Sequence, residues 1–130
     1  MTLTHRNELA AAILTRETKK APFYVDFSSN RQVLRDEATF TRLAANAIAY
    51  LVDDIDPETF DPLSFEVFRC ARGAFIADVT LAVGGPTIRA RFESDWDELT
   101  ITASWGGDYV ELTAKEGPLV EWVKDYAELC

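Results

Sequence analysis

The hydrophobic period of this chain changes near residue 74, and that change constrains the fold more than any other feature. Over residues 37–52, apolar side chains recur at intervals of three and four, whereas over 75–83 they occupy every second position. The first pattern predicts an amphipathic helix, and the second predicts a strand with one buried face. Helices followed by consecutive strands are typical of an α+β fold with an antiparallel sheet.

Two glycine pairs divide the second half of the chain into hairpins. The pair at 84–85 follows the alternating run and suits a two-residue turn, which needs positive φ angles. That turn predicts Asp78 opposite Arg91, an opposite-charge pair, and Leu81 opposite Ile88 on the apolar side. Pattern and turn therefore agree on the register of this hairpin.

A second hairpin joins residues 99–104 to 109–113, with its turn at 106–107 or at 107–108. Both turns keep the apolar residues on one face, so the pattern does not choose between them. Gly117-Pro118 then begins a C-terminal helix, because proline is favoured in the first helical turn. Its apolar stripe follows helical spacing and ends at Cys130.

The first half of the chain contains two predicted helices. One runs over about 5–20 with Thr4 as its N-cap, and the stronger one follows Asp36, a good N-cap, from Glu37 to Val52. Residues 31–35 fit either a short returning strand or an early helical turn.

Residues 62–72 allow two interpretations. Asp61-Pro62 resembles an N-cap with proline at the first helical position, and Gly73 suits the position after a helix, so we favour a helix. The alternative is a strand through Phe65–Phe68, whose residue types are common in sheets. Asp56-Pro57 is a second Asp-Pro pair that predicts a helix start.

These patterns predict a single domain over residues 1–130. We expect an α+β fold: an antiparallel β-meander of about four strands, or five if residues 23–27 join an edge, with one face covered by three to four helices. The other face is predicted to be polar, carrying Asp78, Thr80, Arg89, Arg91, Thr100, Thr102, Ser104, Tyr109, Glu111 and Thr113.

The net charge of −9 is unevenly distributed. Residues 1–52 hold seven Lys/Arg and five Asp/Glu, a net +2, whereas residues 53–130 hold six and seventeen, a net −11. Such a field repels phosphate backbones and anionic lipids. We therefore expect no direct binding to nucleic acid or membranes, and a basic protein as partner.

Catalytic and cofactor motifs are not apparent. The only histidine is His5, so neither a zinc site of ordinary spacing nor a histidine-based nucleophile arrangement can be drawn, and no phosphate-binding glycine motif is present. We expect no cofactor, no metal and no catalytic residue. Two cysteines are too few for a disulfide framework, and charges interrupt any leader-like segment over 1–20, so a cytoplasmic location is expected.

Two acidic runs are the candidate partner-binding residues. The first contains Asp53, Asp54, Asp56, Glu58 and Asp61, of which the first four are assigned to binding. It mimics the start of a calcium loop but has Thr59 where the required glycine would stand and Phe65 in place of the bidentate glutamate. Asp53 and Asp54 follow the C-terminus of the strong helix, where the dipole disfavours negative charge.

The second run surrounds an aromatic residue. Its members are Glu93, Asp95, Trp96, Asp97 and Glu98. A tryptophan among acids is a common interface anchor, unless it folds back over the sheet edge.

We therefore expect a small acidic binding protein that neutralises a basic, nucleic-acid-handling protein, as bacterial immunity proteins and phage anti-CRISPR proteins do. The alternatives are an acidic dimeric secretion-type chaperone and a carboxylate- and Mg²⁺-dependent enzyme.

Overall fold

The computed structural model describes residues 2–129, the side chains of Leu3 and Thr4 excepted. The regular elements are, in chain order, α1 (Leu3–Thr18), β1 (Val25–Asp26), α2 (Glu37–Val52), β2 (Ser64–Arg69), β3 (Phe75–Ala82), β4 (Thr87–Glu93), β5 (Glu98–Trp105), β6 (Asp108–Ala114) and α3 (Pro118–Leu129). Two single 3-10 turns cover Ser29–Arg31 and Ala71–Gly73.

The strands form one antiparallel sheet in the order β1-β6-β5-β4-β3-β2. The five strands from β2 to β6 follow one another as a meander, and β1 adds to the free side of β6. The α+β class and the meander are confirmed, as is the placement of residues 23–27 at an edge. The sheet has six strands, however, and not the four or five that the sequence predicted.

The additional strand is β2, so the helix predicted over residues 62–72 is wrong. Ser64–Arg69 pairs with β3 in continuous register along its whole length, which makes this segment an edge strand of the sheet. Phe65 packs edge-on against Trp122 and Tyr126 of α3, with ring centroids 5.7 and 4.7 Å apart. Gly73 has a positive φ because it lies in the turn between β2 and β3, and not because it ends a helix.

The two strongest predicted helices are confirmed. The Asp36 carboxylate accepts the Thr39 N–H at 3.0 Å and caps α2, as expected of an aspartate at this position. Six apolar side chains of α2 are buried along one stripe: Phe40, Leu43, Ala44, Ala47, Ile48 and Leu51. Helix α3 begins at Pro118 and buries Leu119, Val120, Val123 and Ala127.

The hairpin registers agree with the prediction except near one turn. Asp78 lies opposite Arg91 as predicted, but a bulge between Thr80 and Ala82 places Ala82, and not Leu81, opposite Ile88. The extra residue changes the direction in which the side chains at the end of β3 point, as bulges beside turns do. In the second hairpin, pairing of Trp105 with Asp108 selects the turn at residues 106–107.

The amino-terminal segment differs in detail from the prediction. Helix α1 begins two residues earlier than expected, because the Thr2 side chain accepts the His5 N–H at 3.2 Å and acts as the N-cap in place of Thr4. In the segment 31–35, the backbone of Val33 forms an isolated bridge with Tyr109. Of the two alternatives for this segment, the returning strand is present only as this single pairing, and it follows a 3-10 turn over Ser29–Arg31.

The helices lie on one side of the sheet and leave the other side open. Helix α2 packs on β5 and β6, α1 packs on α2, and α3 contacts β4. No helix within residues 2–129 combines the length and the apolar character needed to cross a bilayer. Cys70 is an exposed free thiol, and Cys130 lies outside the described residues.

Gly117 tests the junction between the sheet and α3. Its φ is +120°, and a Cβ there would lie 2.5 Å from the Phe23 ring and 3.2 Å from the Leu51 carbonyl oxygen. Gly117→Ala is therefore expected to lower the free energy of unfolding by about 3 kcal/mol, since a strained backbone position alone costs roughly 1–3 kcal/mol. Gly84→Ala is the control, because Gly84 also has positive φ but open space around it. Equal urea midpoints for the two variants would contradict the packing argument.

Candidate functional site

The second acidic run forms the turn between β4 and β5. The turn is fixed by Ser94, whose N–H donates to the Phe75 carbonyl at 3.0 Å and whose hydroxyl accepts the Phe75 N–H at 2.8 Å. Asp97 adopts a left-handed conformation with φ of 48°, which aspartate tolerates better than most residues. Trp96 projects from this turn and is 69% exposed, so it does not fold back over the sheet edge.

Two glutamates close the hairpin on its polar side. Glu93 and Glu98 lie directly opposite each other in the register of β4 and β5. Facing residues in a sheet have Cβ atoms about 4.5–5.5 Å apart, so like charges there repel and destabilise the pair. Neither carboxylate has an ion pair or a side-chain hydrogen bond to the described residues. The hairpin therefore holds two uncompensated negative charges side by side.

Neutralising one of these glutamates is expected to stabilise the protein. Glu93→Gln should raise the free energy of unfolding by about 0.5 kcal/mol, because like charges directly opposite are destabilising by roughly 0.2–1 kcal/mol. Adding Glu98→Gln should give little further stabilisation, since the repulsion is already gone. Urea unfolding at low and high salt measures both effects. A loss of stability on Glu93→Gln would show that the carboxylate has a stabilising partner.

Asp97 differs from its neighbours because its charge is compensated. Its carboxylate lies 3.1 Å from the Lys124 ammonium of α3. This hydrogen bond raises the pKa of Lys124, with nearby Glu121 and Glu128 adding to the shift. Asp97 therefore links the turn to α3, whereas the exposed Asp95 has no such partner among the described residues.

The first acidic run occupies the connection between α2 and β2. Asp53 and Asp54 are exposed directly after the end of α2, as predicted, and line a small cavity with Tyr50 and Phe60. The Asp56 carboxylate accepts the Glu58 N–H at 3.0 Å. This bond caps a turn and not a helix, and Asp61-Pro62 leads into the extended β2, so the two predicted helix starts are wrong.

The two acidic runs belong to different connections and line different cavities. Glu93 and Glu98 border a depression that also includes Asp26, Arg31 and Glu111. Asp53 and Asp54 border the cavity beside the end of α2. The structure thus joins Glu93 and Glu98 in one register pair, and places the first run on a separate part of the surface.

The helices leave the polar face of the sheet uncovered. It holds a depression of about 590 Å³ lined by side chains from every strand of the meander and by Arg31. Asp78 and Arg91 form a cross-strand ion pair at 3.2 Å, and Arg31 lies 3.6 Å from Glu111. Arg89 lies between Thr102 and Thr80 with no ion pair to the described residues.

The sequence did not predict that Asp26, Arg31 and Glu66 belong to this face. Asp26 and Arg31 come from the segment before α2, and nothing in their spacing indicates which edge they join. Glu66 lies in β2, where the strand alternative for 62–72 would have found it. The buried Gln32 side chain fixes this segment by bonding both the N–H and the carbonyl of Glu111.

Tyr109 has a titration that tests the geometry of this face. Its hydroxyl donates to Glu111 at 2.8 Å, and burial together with this bond raises its pKa from 10.0 to about 12. The stabilising effect of the neutral phenol should be fully present below pH 10.0 and be lost as the pH rises to about 12. In an absorbance titration, Tyr109→Phe should remove the highest tyrosinate transition. Loss of a transition near pH 10.0 instead would place the Tyr109 hydroxyl in water.

The described residues contain no group of three His, Cys, Asp or Glu side chains arranged to hold a metal ion. His5 is exposed on α1, where it contributes its backbone N–H to the helix cap.

No protein-family model, no curated protein and no solved structure matches the chain. The charges and exposure of the site itself therefore carry the functional argument.

Proposed function

We propose that this chain is a small acidic, non-enzymatic binding protein that inhibits a basic nucleic-acid-handling protein. Its carboxylates bind the Arg and Lys side chains with which the partner otherwise holds phosphates, and Trp96 anchors the complex. This is the strategy of immunity proteins and of phage anti-defence proteins of the anti-CRISPR type. The mechanism is steric and electrostatic, and needs no cofactor.

The observation that supports this proposal most directly is that most of the predicted binding carboxylates have no hydrogen-bond or ion-pair partner among the described residues. Of the eight acids assigned to binding, only Asp56 and Asp97 have a side-chain bond or ion pair to the described residues. The other six are Asp53, Asp54, Glu58, Glu93, Asp95 and Glu98. Their oxygens are available to accept the charge-assisted hydrogen bonds that guanidinium groups donate.

Trp96 adds an apolar contact at the acidic hairpin. Exposed large aromatics on small proteins are often the residues that become fully buried in a complex, where they carry much of the binding free energy. At 69% exposure, Trp96 leaves most of its ring area to be removed from water by a partner. Flanking acids then exclude partners that lack complementary positive charge.

The charge distribution supports a basic partner over nucleic acid itself. Residues 53–130 carry a net charge of −11, which accelerates encounter with a positive surface and repels a phosphate backbone. Association driven this way weakens as salt is added, because the Debye length falls from about 10 Å at 0.1 M to about 3 Å at 1 M ionic strength.

Affinity capture with matched variants tests the proposal. The immobilised chain is exposed at low salt to nuclease-treated bacterial lysate. The captured proteins are then eluted with a salt gradient and identified by mass spectrometry. The expected result is a basic nucleic-acid-binding protein that elutes at moderate salt. A control variant carrying Glu8→Gln, Glu37→Gln and Glu128→Gln removes three exposed acids outside both runs and should retain that ligand. Capture only of proteins unrelated to nucleic acid, or loss of the ligand with this control variant, would contradict the proposal.

A further inference from the structure

The two edges of the sheet differ in how they end. Strand β1 is two residues long, and so offers almost no surface for pairing. Strand β2 is six residues long and pairs in continuous register with β3 on one side, and no strand within residues 2–129 pairs with its other side. Native proteins usually shorten or interrupt an exposed edge to prevent pairing with other chains. The β1 edge follows this rule, and the β2 edge does not.

The unpaired backbone groups of β2 can be assigned from the ladder. Cys70 donates its N–H to the Ala74 carbonyl at 2.8 Å. Because bonded pairs alternate along an antiparallel ladder, Glu66 and Phe68 bond to β3. Phe65 and Val67 must then direct their N–H and carbonyl groups away from the sheet. Two residues in the middle of the strand therefore present a complete set of donors and acceptors to an added strand.

The side chains of β2 include two exposed charges, Glu66 and Arg69, but the strand lacks the other usual protections of an edge. The segment Ser64–Arg69 contains no proline and no lysine, and its pairing with β3 has no bulge. On the helix side, Phe65 packs against Tyr126, with the two ring centroids 4.7 Å apart, and Tyr126 is 42% exposed. On the polar side, Phe68 is 49% exposed. An added strand would thus find apolar surface beside Phe65 and Val67 at the helix side.

The charge at this edge specifies the chemistry of the added strand. Glu66 lies directly opposite Asp78, a like charge, and Asp78 is already paired with Arg91 at 3.2 Å. Glu66 itself has no ion pair to the described residues. A lysine or arginine opposite Glu66 in an added strand would compensate this charge, because facing opposite charges stabilise a sheet.

We propose that β2 binds an extended segment in which basic and apolar residues alternate, supplied by the basic protein partner, as a seventh strand of the sheet. The basic side chains face the Glu66 side and the apolar ones face Phe65, Val67 and Tyr126. This inference rests on the proposed function for the identity of the partner. A second copy of the chain fits less well, because it brings a like net charge of −9 to the edge.

Hydrogen exchange with defined peptides tests the inference on the unmodified protein. The probe is the blocked hexapeptide Lys-Val-Lys-Val-Lys-Val. The expected result is that exchange of the Phe65 and Val67 amides slows at least tenfold when the peptide is added, while amides of β1 are unaffected. The same peptide with N-methyl groups on alternate residues, and a Glu-Val version, should not produce this protection. Protection by the N-methylated peptide, or none at β2, would overturn the inference.

Two further measurements separate the remaining outcomes. Glu66→Lys is expected to weaken the Lys-Val peptide at least tenfold, whereas Glu8→Gln should not. Sedimentation showing a dimer with protected β2 amides in the absence of peptide would assign the edge to a second copy and overturn the proposal.

If β2 binds the peptide but the protein never competes with nucleic acid for a partner, the proposed inhibitory function fails and the edge site stands. Inhibition without protection of β2 would overturn the edge site and leave the inhibitory function standing.

Discussion

A triple variant carrying Glu93→Gln, Asp95→Asn and Glu98→Gln is expected to bind the captured basic partner roughly a hundredfold more weakly at low salt. The structure selects these three acids because none is paired with the described residues. Exposed ion pairs contribute about 1 kcal/mol at most, and 1.4 kcal/mol corresponds to tenfold in affinity. Three such pairs, each at this upper value, account for about two orders of magnitude.

Two comparisons make this result specific. Asp97→Asn should have a smaller effect, because the Asp97 charge is already paired with Lys124 at 3.1 Å and asparagine accepts the left-handed turn. The control with Glu8→Gln, Glu37→Gln and Glu128→Gln changes the net charge by the same amount elsewhere. Calorimetric titration at increasing salt should show the variants converging as screening removes the electrostatic part. Equal losses in the two triple variants would show that only net charge matters.

Replacement of Trp96 by alanine is expected to weaken the same complex about thirtyfold, since interface anchors typically contribute 2 kcal/mol or more. Stability should change little, because the ring is 69% exposed in the free protein. The loss should persist at high salt, since removal of apolar area from water does not depend on screening. Affinity and urea midpoint, measured on the same preparation, separate binding from folding.

Trp105 provides the matched control for Trp96. It is at the opposite end of β5, is 51% exposed, and its ring lies beside Gly85. Trp105→Ala removes the same type of aromatic side chain from a surface without the acidic hairpin, and should leave affinity unchanged. If the two tryptophan variants lost affinity equally, binding would involve exposed aromatics in general and not the hairpin.

Elements with a clear period and a local end signal could be predicted from the sequence. Helix α2 has both an aspartate cap and an apolar stripe, and the two glycine pairs set the turns of the meander. Strand β2 was not assigned in this way, because Asp61-Pro62 and Gly73 are end signals typical of a helix, and its short run of residues common in sheets has no alternating pattern to outweigh them. Its pairing with β3 and the contact of Phe65 with α3 decided the outcome.

The candidate site was predictable in composition but not in arrangement. Trp96 and its acids are contiguous in the chain, so their clustering in one turn follows from the hairpin. The facing of Glu93 with Glu98 depends on the turn length, which the pattern of acids does not specify. Asp26, Arg31 and Glu66 join the polar face only through long-range strand pairing and the Gln32 bonds to Glu111. These relations are set by tertiary contacts and not by local spacing.

Competition for nucleic acid tests the central claim most directly. The captured basic partner is loaded with a fluorescent oligonucleotide, and the chain is added while anisotropy is recorded. The expected result is full displacement at stoichiometric protein, with the Glu93→Gln, Asp95→Asn, Glu98→Gln variant requiring roughly a hundredfold more, in line with three lost ion pairs of about 1 kcal/mol each. A stable ternary complex, in which the oligonucleotide stays bound while the chain also binds, would contradict the claim that the acidic surface occupies phosphate-binding positions.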